Sequence, residues 1–151
     1  MVAINRMRIG AYEFAIEAAS FRYIIQSWSG PGWDFNFNGP CITNEAKRLF
    51  PYGARLYTEA APLPLQRAED YTGTELVLPL PYDEISGEAL FGLEVWEEHD
   101  VSDLQLRFVE RHRNSYRIEI LATVAPTVLG HPEQLQLSAW VAQLPDHAYP
   151  V

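Results

Sequence analysis

Residues 34–45, DFNFNGPCITNE, set side-chain oxygens at Asp34, Asn36, Asn38 and Glu45, with Gly39 and Pro40 between them. Hard cations such as calcium take clusters of oxygens, and the spacing D-x-[DN]-x-[DN]-G-x5-E is one that wraps an ion. A second cluster, EEHD at 97–100, gathers three carboxylates round one imidazole, a set that suits a divalent ion or proton transfer. In a third, Arg107, Arg111, Arg113 and Arg117 flank His112 and Tyr116, a grouping that could grip phosphate or RNA. Little else carries chemistry. His99, His112, His131 and His147 have no metal-ligand spacing, and Cys41, the only cysteine, has no local partner pattern. Nucleophile-elbow, phosphate-loop and dinucleotide signatures are absent. No catalytic residue, metal or cofactor is therefore expected.

Each cluster also has a plainer reading. The first resembles the calcium loop of an EF-hand, over 12 of 151 residues. Yet Gly30-Pro31-Gly32 stands where the entering helix belongs, and Trp33, Phe35 and Phe37 alternate with the supposed ligands. A strand explains that alternation without a metal, and it would spread Asp34 to Asn38 over about 13 Å. EEHD reads as an exposed acidic hairpin loop. The arginines read as a counterweight to the acidic part of the chain.

That acidic part is sharply bounded. The net charge is -9, and between Arg67 and Arg107 there is no cationic side chain. The interval holds Glu69, Asp70, Glu75, Asp83, Glu84, Glu88, Glu94, Glu97, Glu98, Asp100 and Asp103. Such a surface repels nucleic acid and anionic membranes and attracts cationic partners. No run approaches the roughly 18 apolar residues of a membrane helix. The N-terminal residues show no secretory pattern, and the lone cysteine suits a reducing compartment, so a cytoplasmic location is expected.

The elements that must position these groups read mainly as β. A chain of 151 residues suits a single domain over 1–151 and can bury roughly 70% of its unfolded surface. Apolar residues alternate at Leu93-Val95, Leu104-Leu106-Phe108, Tyr116-Ile118-Ile120 and Leu135-Leu137-Ala139-Val141, predicting an antiparallel meander. A three-residue loop, His112–Asn114 with Asn114 left-handed, would pair Phe108 with Ile118, Leu106 with Ile120 and Arg107 with Glu119. A four-residue loop at 98–101 would pair Val95 with Leu104. The other face of this sheet, with Trp96, Val109, Leu121 and Trp140 among charges, is expected to be covered by the rest of the chain; the alternative is an open face whose Trp, Arg and Glu residues form a binding surface. Tyr12-Phe14-Ile16-Ala18, residues 21–28 and Trp33-Phe35-Phe37 also read as strands, with a helix near 11–26 as the alternative. Thr43 caps a short helix that Pro51 ends. The Pro-rich segments APLPLQ and LPLPYDE read as extended or edge pieces. The fold expected is an antiparallel sheet, sandwich or partly open barrel, with one or two short helices. An α+β arrangement is the alternative.

Function follows from charge more than from motif. The expectation is a small acidic protein that engages a basic protein partner, in concrete form an immunity or inhibitor protein that neutralises a cationic toxin enzyme. Glu94, Glu97, Glu98, Asp100 and Asp103 would supply the field, and Trp96 an aromatic anchor. The alternatives are a ligand-binding protein or enzyme with a pocket lined by Trp and Tyr, and a structural subunit of a larger assembly.

Overall fold

The computed structural model describes residues 2–125 and 131–150, with the backbone alone for residues 44–46. The chain runs β1 (Arg6–Ile9), β2 (Tyr12–Ala15), β3 (Ala18–Gln26), β4 (Gly32–Gly39), α1 (Asn44–Leu49), β5 (Ala54–Tyr57) and β6 (Glu75–Leu78). It continues through β7 (Gly92–Val95), β8 (Glu97–His112), β9 (Ser115–Val124), β10 (Glu133–Gln143) and β11 (His147–Ala148). Seven of these strands, in the order β3-β4-β5-β7-β8-β9-β10, close on themselves through a parallel pairing of β10 with β3, where Ala142 meets Ser20 and Gln143 meets Phe21. Every other pair in the ring is antiparallel. Closure into a mixed barrel removes the open edges that a flat sheet of this length would carry.

The remaining strands seal the seam. β1 pairs with the N-terminal part of β10, and β2 pairs with β1. β2 also runs on the line of β3 along β4: the Ala15 amide donates to the Pro40 carbonyl and the Glu17 amide to that of Asn38, both at 2.9 Å. β6 lies on β8 beyond the end of β7, and β11 lies on β3. Residues 12–15 and 18–26 are thus strand, and no part of 11–26 is helix. Although Ala and Glu there form helices readily, burial of Phe14, Phe21 and Ile24 and the pairing of β2 with β1 and of β3 with β4 outweigh intrinsic propensity.

Most of the buried hydrophobic side chains form one contiguous cluster. Its centre is aromatic: the Phe21 ring lies 5.4–5.8 Å from those of Phe35, Phe108, Tyr71 and Tyr116. Polar atoms carried inside find partners. The Tyr71 amide donates to the Tyr116 hydroxyl at 3.2 Å, and the Trp33 indole donates to the Leu65 carbonyl at 3.0 Å. Thr58 Oγ1 accepts from the Phe35 amide and donates to the Trp33 carbonyl. Leu63 and Leu65 of the Pro-rich APLPLQ segment are buried against this end of the barrel.

The β8–β9 pairing joins Phe108 with Ile118, Leu106 with Ile120 and Arg107 with Glu119, as the alternation predicts. The turn differs. His112 pairs with Ser115, leaving a two-residue turn in which Arg113, not Asn114, is left-handed at φ 56°. A bulge at Val109 absorbs the extra residue and restores the faces. The face expected to be covered is the barrel's outer surface: Trp96 and Leu121 are exposed and Val109 and Trp140 half-buried. Closure happens round the other face.

Candidate partner-binding face

The alternation of β4 sends Trp33, Phe35 and Phe37 inward and leaves Asp34, Asn36 and Asn38 half-buried on the outside. Asp34 Oδ1 accepts from the Ala60 amide at 2.7 Å, while Oδ2 takes the Tyr149 hydroxyl and lies 3.6 Å from Arg22 Nε. Asn36 Oδ1 accepts from Arg55 Nε at 2.9 Å. These oxygens hold strands together and do not converge. Gly39 has its own reason to be glycine: a Cβ there would stand 1.6 Å from the Ala15 carbonyl oxygen. The Glu45 side chain lies outside the described residues. Among those residues no group of three or more His, Cys, Asp or Glu could hold a metal ion.

EEHD is not a loop. β7 and β8 turn back on each other through Trp96 alone, pairing Val95 with Glu97, Glu94 with Glu98, Leu93 with His99 and Gly92 with Asp100. The predicted pairing of Val95 with Leu104 fails because residues 98–101 lie in strand β8. The mistaken loop rested on charge, since polar residues resemble turn residues. Here the polar side chains simply face outward while Leu93, Val95, His99 and Val101 face the core. His99 is 7% exposed, with Nε2 3.3 Å from the Val95 carbonyl.

This register gathers most of the expected acidic residues. Glu94 and Glu98 are direct cross-strand neighbours, a like-charge pairing that opposes folding. Asp100 follows along β8, and Glu97 flanks the tip; all four are exposed. Asp103 stands apart at a bulge with φ 48°, its amide donating to the Pro79 carbonyl at 3.1 Å. None of these five carboxylates lies within an ion pair among the described residues. The arginine cluster does not balance them. Arg107 pairs with Glu119 at 2.6 Å, and Arg117 reaches Glu110 at 3.1 Å and Glu119 at 3.5 Å. Arg111 donates to the carbonyls of Arg113 and Glu69.

At the tip, Trp96 adopts φ 68° and remains 56% exposed. A left-handed non-glycine residue costs on the order of 1–3 kcal/mol, and such strain clusters at functional positions. Its indole donates to the Leu49 carbonyl at the end of α1, and its ring stands edge-on to that of Tyr52, 6.4 Å away at 85°. Tyr52 is 89% exposed. A groove of about 540 Å³ runs between them, lined in part by Glu17, Tyr52, Arg55, Glu94 and Trp96.

Three residues of this face escape sequence reasoning: Tyr52, Arg55 and Tyr57. They reach it only through the β5–β7 pairing, which sets Arg55 beside Glu94 and Tyr57 beside Gly92. No local pattern announces that pairing, because β5 and β7 are separated by residues 58–91. Gly92 leaves room for the Tyr57 ring to cross it, so the Tyr57 hydroxyl donates to Glu98. Burial, and then the bond to Glu98 and its charge, push this hydroxyl well above the ordinary tyrosine value. Arg55 lies 4.1 Å over the Tyr57 ring, held there by Asn36.

Comparisons with family models, with curated proteins and with solved structures find no match to this chain. Among the described residues no helix is long and apolar enough to cross a membrane.

Proposed function

We propose that this chain is a binding protein whose β7–β8 face docks a basic protein partner. One observation carries the reading: Glu94, Glu97, Glu98 and Asp100 line the hairpin behind a strained, exposed Trp96 at its tip and have no ion-pair partner within the described chain. Uncompensated charge costs stability and becomes favourable only when an opposite field arrives. Trp96 and Tyr52 supply rigid apolar area at the end of that charge, where an aromatic anchor can seat beside a polar rim. In its finer form, the partner is a cationic enzyme, such as a nuclease toxin, that the chain neutralises in the cytoplasm.

The filled aromatic interior favours this over a ligand pocket inside the barrel. Affinity capture from the native host tests the proposal, using the wild-type chain and a Glu97→Lys/Glu98→Lys/Asp100→Lys variant as baits. The wild type should retain a basic protein whose association rate falls at least about tenfold with the reversals and falls with salt. Retention of the same partner at an unchanged rate by the reversed bait would overturn it.

A further inference from the structure

A second groove, of about 520 Å³, opens on the outer surface of β3 and β4, beneath the turn that joins them. Its volume falls within the range of about 300–1,000 Å³ usual for small-molecule sites. One wall is already tied together. Asp34, the Tyr149 hydroxyl and the Ala60 amide form a closed set with Arg22, whose Nη2 donates to Tyr149 at 3.2 Å. Burial, and then the bond to Asp34, raise the Tyr149 hydroxyl above its ordinary value, so it stays a neutral donor.

The opposite wall has groups to spare. Arg55 spends Nε on Asn36 and is held flat on Tyr57, which leaves its two Nη groups free of partners among the described residues. The Asn36 amide nitrogen, the hydroxyl of its register neighbour Ser20 and the Glu59 carboxylate are likewise uncommitted within the described chain. Above them stands Trp28, 87% exposed. Its turn is pinned: the Gly30 amide donates to the Ser27 carbonyl at 3.1 Å and the Ser27 hydroxyl donates to the Gly30 carbonyl at 2.5 Å.

The chemistry of these groups narrows the ligand. The unspent set mixes donors (Arg55, Asn36), an acceptor (Glu59) and a hydroxyl that is both (Ser20), matching a ligand rich in hydroxyls. The charged lining residues, Arg22 and Arg55 against Asp34 and Glu59, sum to zero. The chain's net charge of -9 opposes an anion. A flat indole at the rim suits the C–H face of a sugar ring. We infer that this groove binds a neutral saccharide, stacked on Trp28 and hydrogen-bonded to Ser20, Asn36, Arg55 and Glu59. The site shares Arg55 with the β7–β8 face but takes none of the carboxylates of residues 94–100, and it does not depend on that face's function.

The test is a ¹⁵N NMR titration of the full chain with maltose, cellobiose, lactose and diacetylchitobiose, with citrate and inorganic phosphate as anionic arms. At least one neutral disaccharide should shift the Trp28 indole and Arg55 Nε resonances with Kd near about 1 mM. Trp28→Ala, in an exposed turn, should weaken the Arg55 response at least about tenfold. Glu59→Gln should weaken it too, while leaving the spectrum folded. The inference is overturned if no neutral disaccharide shifts these signals up to about 50 mM, if only citrate or phosphate does, or if the Arg55 response survives Trp28→Ala.

Discussion

β4 and the β7–β8 hairpin both carry closely spaced polar side chains on the outside of one barrel, yet they treat them differently. On β4, Asp34 and Asn36 are engaged by Arg22, Tyr149, Arg55 and the Ala60 backbone. On β7–β8, Glu94 and Glu98 face each other, and no carboxylate there has a cation within 4 Å among the described residues. Identical backbone geometry thus yields scaffold in one place and available charge in the other. Unpaired charge distinguishes them better than residue type or spacing does.

The comparison can be broken at its foundation by emptying the barrel both regions share. Phe21→Ala should cost about 3–5 kcal/mol in chemical denaturation, because its ring packs against five other aromatic rings and its loss leaves a cavity among them. A loss below about 1 kcal/mol would mean that the interior is loosely packed. Next comes the scaffold strand. Gly39→Ala should cost about 1–3 kcal/mol, since its Cβ would collide with the Ala15 carbonyl. Full stability in that variant would return Gly39 to the role of a metal-loop turn. At the hairpin tip, Trp96→Gly should hold stability within about 1 kcal/mol of the wild type, because relief at φ 68° offsets the lost contacts. The same variant should lose partner binding, a split that a purely structural tryptophan would not give.

Two smaller effects sharpen the electrostatic contrast. The folded-state value of Tyr57 lies above its unfolded value, so its contribution to stability is complete below pH 10.0 and is lost as pH rises beyond it. Tyr57→Phe should therefore flatten the alkaline arm of the melting curve, measured by circular dichroism. Glu94→Gln should raise Tm by about 1 °C at low salt by relieving the Glu94–Glu98 pair. High salt should erase that gain, whereas Asn36→Ala should lower Tm at any salt concentration.

The legible parts of this molecule are those where both partners of a pairing alternate. Phe108 and Ile118 could be matched from sequence because each sits in a run of inward residues. The match survived a wrong turn because the bulge at Val109 restores the faces. The β7–β8 reversal was not legible: Trp96 gives no turn signal, and the acidic residues after it look more like a loop than a strand. A barrel was among the architectures expected, but the pairing that closes it was not legible, for another reason. The parallel contact of β10 with β3 joins residues more than 100 positions apart and covers two residue pairs. Of the candidate face, Glu94, Trp96, Glu97, Glu98 and Asp100 could be read from the charge interval. Tyr52, Arg55 and Tyr57 arrive through β5 and its neighbourhood, beyond the reach of local pattern.

Hydrogen exchange on the complex of this chain with its captured partner tests the central claim most directly. Protection should appear at residues 94–100 and 52–57, with β4 and the β8–β9 turn unchanged. Protection confined to β4, or to the arginines flanking the β8–β9 turn, would contradict an acidic docking face centred on Trp96.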